Sequence, residues 1–202
     1  KAEFPLSVSN PMATYDHGLG SIQRPTNTDT NYEVCSHEWT DLTDASGDYG
    51  VTILNDSRYG WDKPADNTLR LSLLYAPKPG GGYTYQAHQD KGHHVFTYSL
   101  IGHAGALPMA KTVRQATLLN SPLRAFTVSK HKGALGREWS FLQSDNENVI
   151  VRTMKRAEVS DEYVLRVHEL GGKATQKAHL TFPADILLAV ETDGTERTLS
   201  TT

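Results

Sequence analysis

The chain has 202 residues, enough to bury one large β domain or two smaller ones. Twenty lysines and arginines against twenty-three aspartates and glutamates give a formal charge of −3, with no basic excess to hold nucleic acid or an anionic membrane. No apolar run approaches the roughly 18 residues of a membrane span, so a soluble protein of unassigned compartment is expected, and the single Cys35 cannot close an intrachain disulfide.

Nine prolines and sixteen glycines suit short strands joined by many turns. Tyr49 to Leu54 reads as a strand with Val51 and Ile53 on one side. It runs into Asn55-Asp56-Ser57-Arg58-Tyr59-Gly60, where Asn55 and Asp56 are expected to start a turn through side-chain-to-backbone hydrogen bonds. Thr68 to Tyr75 follows as a strand, with Leu69, Leu71 and Leu73 on one face and Arg70 and Ser72 on the other. Pro77-Lys78-Pro79-Gly80-Gly81-Gly82 cannot continue a central strand and opens a polar loop to about Gly92.

His94 to Leu100 alternates as a further strand, whereas Ala110 to Leu119 fits a strand or a short helical turn equally well. Leu123 to Ser129 reads as a strand, followed by a polar connection from Lys130 to Gly136. A meander is then predicted through Phe141-Leu142, Val149 to Met154, Tyr163 to Glu169, Ala178 to Phe182 and Ile186 to Val190. Such spacing predicts an all-β protein of β-sandwich class: a large sandwich portion over 1–130 and a small sandwich-like β domain over 137–202. The second is small for an autonomous core and is expected to lean on a neighbour.

Several residues could carry chemistry, each with a plainer alternative. His88, His93, His94 and His103 cluster around the glycine loop, and imidazole is a good zinc ligand, but no HExxH or cysteine-pair motif supports them. Hydrogen-bonded loop histidines are the simpler reading, and no metal ligand is assigned. Glu33, Glu38, Asp41, Asp56 and Asp90 could supply a glycosidase carboxylate pair, yet Glu33 with His37 also reads as a buried hydrogen bond. Trp39, Trp61, Tyr83 and Tyr85 could form a sugar-stacking platform or belong to the core and its rim. Cys35 lies in an alternating stretch and reads as a small buried hydrophobe.

Gln23-Arg24-Pro25-Thr26, followed by Tyr32 through Leu42 with Glu33, His37, Trp39 and Asp41, resembles a stretch of the glycoside hydrolase family 38 α-mannosidases. So does Tyr49 to Gly60, with Tyr49, Gly50, Asn55, Asp56, Tyr59 and Gly60 in place, then Leu71-Ser72-Leu73-Leu74 and Pro77. Asp90, Gly92, His94, Phe96, Tyr98 and His103 form a third block in the family's order, and Lys155 to Glu158 with Val164 to Glu169 looks like its last β domain. The chain departs from the pattern where Asn27 replaces the histidine after Arg-Pro-Thr, where the link to Tyr32 is short, and where Gly80-Gly81-Gly82 replaces a proline-aspartate stretch.

The resemblance implies a parent enzyme with an N-terminal α/β catalytic domain and a helical domain, which are this region's expected partners. Zinc would be held in that catalytic domain by two histidines and two aspartates, one of them the nucleophile, to hydrolyse terminal α-D-mannose residues of mannosides or glycans with retention. No catalytic or zinc position falls within these 202 residues, so the chain is expected to be a fragment, truncated at the front of its large β domain and inactive alone. An apolar face left uncovered would accompany that reading. Arg24 is the one residue expected near the substrate rim; a salt bridge fixing the Pro25 turn is the plainer role. The runner-up is a stand-alone carbohydrate-binding sandwich, followed by a purely structural domain.

Overall fold

The computed structural model describes residues 1–76, 89, 91–174 and 177–199. These divide into two compact units, Lys1–Arg124 and Ala125–Thr202. The polar loop predicted from Pro77 lies almost wholly outside the described residues, and with it Tyr83, Tyr85, His88 and Asp90.

The first unit contains β1 (Ala2–Pro5), β2 (Met12–Asp16), β3 (Ser21–Pro25), β4 (Val34–Cys35), β5 (Trp39–Thr43), β6 (Tyr49–Asn55), β7 (Gly60–Ala65), β8 (Thr68–Leu71), β9 (Tyr98–Ala104) and the helix α1 (Met109–Asn120). Two antiparallel sheets form, in the orders β3-β2-β5-β6-β9 and β1-β8-β7-β4. Their facing sides carry Phe4, Val8, Ala13, Tyr15, Leu42, Val51, Ile53, Trp61, Leu69 and Leu71, one continuous apolar core.

Local chemistry fixes the register. Asp44 Oδ1 accepts from the Asp48 amide at 2.9 Å in the turn between β5 and β6, where Gly47 supplies φ +79°. Between β2 and β3 the Asp16 carboxylate accepts from the Gly18 amide at 2.9 Å, and Gly18 again has φ +79°. Pro64 has no amide hydrogen to give a ladder, and the β7–β8 pairing shifts register between Asp62 and Ala65, where it sits.

Val51 and Ile53 share the core side of β6, and Thr52 and Leu54 the outer side. Over that outer side lies α1, which buries Thr112, Val113 and Ala116. This resolves Ala110 to Leu119 as helix.

In the second unit β10 (Gln143–Ser144) pairs with β13 (Leu180–Thr181), and β11 (Val149–Arg156) with β12 (Tyr163–Glu169). Among its described apolar side chains only Val149 and Leu170 are buried.

Several predicted strands require correction. Residues Leu123 to Ser129 and Ile186 to Val190 are not strands, being exposed segments without ladder partners, and Phe141-Leu142 gives way to a strand starting at Gln143. The strand expected from His94 begins only at Tyr98, where pairing to Asn55 starts. Gly60, expected to end the turn, and the residues after it to Ala65 form β7. No helix among the described residues is long and apolar enough to cross a membrane.

Candidate functional site

Arg24 lies within β3, the outermost strand of its sheet, opposite Ala13, and Pro25, expected to make a turn, is the last residue of that strand. It is half-buried on the side of the strand that also carries Ile22, which packs against the core. Its guanidinium makes no hydrogen bond or ion pair among the described residues, and the salt bridge expected to fix the Pro25 turn is not found among them. Its positive charge is nonetheless felt by the buried Tyr15, whose hydroxyl is pushed well above the usual tyrosine range by burial and then by the Asp62 carboxylate, against the lowering pull of Arg24.

The backbone just after Arg24 is tightly held. Thr26 donates its amide to Pro11 O at 2.8 Å and its hydroxyl to Asp66 Oδ1 at 2.6 Å. That hydroxyl accepts from Lys63 Nζ at 2.6 Å, and the Lys63 ammonium also reaches Ala65 O at 3.1 Å. Asn27 bonds the Lys63 backbone twice, amide to carbonyl at 2.8 Å and Lys63 amide to Asn27 Oδ1 at 2.9 Å. Burial draws the Lys63 pKa below the ordinary lysine range, opposed by the attraction of Asp66.

A second cluster, on the outer face of β5, β6 and β9, joins three motif blocks that sequence spacing could not connect. Asp41 Oδ1 meets His103 Nε2 at 3.0 Å and accepts from Thr52 Oγ1 at 2.7 Å, while Oδ2 accepts from Thr43 Oγ1 at 2.7 Å. His103 Nδ1 faces Gly105 O at 3.2 Å. A Cβ on Gly50 would stand 2.4 Å from His103 Cε1 and 2.8 Å from Thr43 Oγ1, so Gly50 is glycine because the imidazole lies on its backbone. The Asp41 carboxylate is therefore saturated by its own scaffold and turned away from solvent.

Asn55 is the third anchor: Nδ2 donates to His37 O at 2.8 Å, and Oδ1 accepts from the Ser57 and Arg58 amides at 3.2 and 2.7 Å. The expected turn is formed by Asn55. Asp56 acts differently, accepting from the Thr97 amide at 3.3 Å and from Ser57 Oγ at 2.8 Å.

Glu33 does not bond His37. It accepts from Ser72 Oγ at 3.2 Å and pairs with Lys1 at 3.4 Å, and its carboxylate lies where a Cβ on Gly60 would be, at 2.5 Å. His37 is exposed, stacked on His17 with ring centroids 6.2 Å apart and edge-on to the exposed Tyr59 at 5.9 Å. The carboxylates Glu33, Asp41 and Asp56 are thus committed to three separate sets of partners.

Trp39 and Trp61 are 2% and 0% exposed, which removes them from any sugar platform. Cys35, expected to be buried, is exposed, because it is Val34 of the two-residue β4 that turns to the core. His94 is half-buried and stacks on Phe96 at 5.9 Å, with the Arg58 guanidinium over the same ring at 4.5 Å. Gly92 has φ +136°, open to glycine but strained for other residues. Tyr49 is exposed at the start of β6. His93 is exposed while His103 is tied to Asp41, and among the described residues no three His, Cys, Asp or Glu side chains converge to hold a metal. The donor set needed for zinc is not found there.

Residues 1–79 match the family model described as glycosyl hydrolases family 38 C-terminal domain, and residues 148–202 match the family 38 C-terminal beta sandwich domain. The Mus musculus protein named Alpha-mannosidase 2C1 is 37% identical over 180 residues, covering 85% of this chain and 16% of its own length. The chain belongs to the C-terminal region of glycosyl hydrolase family 38.

Other family 38 relatives agree. Alpha-mannosidase 2C1 of Homo sapiens is 35% identical across 91% of the chain, and an alpha-mannosidase of Saccharomyces cerevisiae 34% across 90%, each with 18% of its own length covered. The chain thus spans less than a fifth of these relatives. The crystal structure of an alpha-mannosidase from Enterococcus faecalis V583 shares the fold with a TM-score of 0.82 at 22% identity, over 98% of this chain and 23% of that one. The β-sandwich reading of the fold holds.

Proposed function

We propose that this family 38 region is the non-catalytic C-terminal β part of a zinc-dependent, retaining α-mannosidase that removes terminal α-D-mannose from mannosides or glycans. The observation that carries this reading is that relatives named alpha-mannosidase match 85% and 91% of the chain, which covers only 16% and 18% of their own length. Zinc, nucleophile and acid–base carboxylate are assigned to the α/β catalytic domain of the same polypeptide, and the structural partners are that domain and the helical domain. Exposed apolar side chains support a buttressing role: Phe126 is 85%, Leu187 98% and Leu188 80% accessible, a surface that suits cover by protein rather than water. The test compares the full-length protein with residues 1–202. Full-length protein should hydrolyse an aryl α-mannoside and lose activity on chelation, while the isolated chain should bind no stoichiometric zinc and turn over nothing. Chelator-sensitive turnover by the isolated chain overturns the proposal.

Arg24 is assigned to the rim of the sugar cleft. Support comes from its place on a sheet edge and from a guanidinium left without a bonding partner among the described residues, whose planar donors suit paired sugar hydroxyls. Arg24→Lys in the full-length enzyme should lower kcat/KM by about tenfold, about 1.4 kcal/mol of transition-state stabilisation, with melting unchanged. Unchanged kinetics, or a stability loss that accounts for the kinetic loss, returns Arg24 to a structural role.

A further inference from the structure

We propose that Lys63 is a positioning residue for Arg24: its buried ammonium and its peptide clamp the end of β3 and so fix the backbone from which the arginine leaves the sandwich edge. The inference rests on the rim reading of Arg24 given above.

β3 has a single neighbour in its sheet, β2, and ends at Pro25, which has no amide hydrogen to give. Such an end frays unless something else holds it. Here the hold comes from the opposite sheet. Lys63, on β7, reaches over with a side chain that is 0% exposed, a rare state for lysine, and donates to Thr26 Oγ1 at 2.6 Å. The Thr26 hydroxyl passes its own hydrogen to Asp66 Oδ1, which lies 3.5 Å from the same ammonium. The Lys63 peptide adds two bonds to Asn27, one in each direction. Residues two and three places beyond Arg24 are thereby both bonded to one residue of the facing sheet, in addition to the Thr26 amide's bond to Pro11 O.

Arg24 itself has no hydrogen-bond or ion-pair partner among the described residues, so among them its place is set by the packing of its half-buried stem and by the backbone that carries it. What fixes that backbone fixes the Cα–Cβ bond from which the arginine side chain starts. Asn27 is part of this clamp: its amide oxygen accepts from the Lys63 N–H.

A double-mutant cycle in the full-length enzyme tests the clamp, with an aryl α-mannoside as substrate and melting measured on the same preparations. Lys63→Met keeps the length of the side chain and removes its charge. It should lower kcat/KM about fivefold in the natural background and less than about twofold in the Arg24→Ala background, because the clamp acts through Arg24. If Lys63→Met does not accumulate folded, Thr26→Val removes the same contact from the other side and should show the same dependence on background. Equal losses in both backgrounds overturn the inference, since the residue then acts on the fold at large. So does an intact kcat/KM in Lys63→Met beside a large loss in Arg24→Ala, which leaves the rim reading standing. A fully active Arg24→Ala enzyme removes the rim reading and this inference together.

Discussion

Strand pairing and burial go together in Lys1–Arg124 and come apart in Ala125–Thr202. The first unit closes two sheets over Tyr15, Leu42, Ile53 and Trp61, each at most 1% exposed. The second pairs β11 with β12 over seven registered positions, yet Tyr163 and Val167 on that ladder remain 65% and 49% accessible. Polar groups divide in the same way. Asp41, Asp62, Lys63 and His103 are buried and bonded in the first unit, whereas the second keeps pairs such as Asp145–His179 and Lys155–Glu158 at the surface. Backbone hydrogen bonds alone therefore specify a ladder without making a core. A two-stranded sheet is marginal in water unless an apolar layer covers it, and exposed ion pairs add little.

The sharpest test of this contrast is a pair of leucine truncations. Leu42→Ala empties a fully enclosed site and should cost about 3–4 kcal/mol in urea unfolding. Leu187→Ala, 98% exposed, should stay within about 0.5 kcal/mol in the isolated chain. In the full-length protein Leu187→Ala should cost more than in the isolated chain. Equal small costs in both would mean that this apolar surface stays uncovered.

Glycine substitutions give the next largest difference. Gly50→Ala drives a methyl into the buried His103 ring and the Thr43 hydroxyl and should cost about 2–3 kcal/mol. Gly194→Ala meets nothing within 4 Å and should be neutral within about 0.5 kcal/mol, both read from denaturant midpoints. A mild Gly50→Ala would show that the imidazole can move aside and that the Asp41 network is looser than its geometry implies.

Asparagine turns follow the same division. Asn55→Ala strips a buried side chain from two backbone amides and one carbonyl, for about 2 kcal/mol and a lower Tm with substrate preference kept. Asn146→Ala removes one surface bond to the Asn148 amide and should cost less than about 1 kcal/mol. A changed substrate preference at unchanged Tm would move Asn55 from framework to site.

The smallest effect concerns pH. Burial raises the Tyr15 hydroxyl above the ordinary tyrosine value of 10.0, so the fold favours its protonated form. Its contribution is complete below about pH 10 and is lost as pH rises through the raised value, because the unfolded chain gives up the proton first. Tyr15→Phe should flatten the decline in stability above pH 10 relative to the natural protein. An identical slope in both would place the Tyr15 hydroxyl in contact with water.

How much could be read beforehand depends on the reach of each interaction. The strand at Val51 and Ile53 and the turn at Asn55 rest on side-chain alternation and on bonds two or three residues long, and both are legible in the chain. Trp39, Trp61 and Cys35 show the limit: an aromatic or a thiol in a strand carries no label for core or surface until the strand's neighbours are known. Residues 60–65 were hidden as a strand because Pro64 interrupts the pattern, and only the register shift against β8 accommodates it.

The sequence by itself determined the all-β class, the turn at Asn55 and, through four ordered blocks, the resemblance to family 38. Only the tertiary structure decided that Asp41, Gly50 and His103 form one cluster and that Gly60 makes room for Glu33. It alone seated Lys63 beneath Thr26, and it left the apolar residues of the second unit open. The physical reason is separation along the chain: Asp41 and His103 stand 62 positions apart, and Lys63 lies 37 beyond Thr26. No local periodicity encodes a contact of that span: the first exists only once β5, β6 and β9 have paired, and the second only once the two sheets face each other.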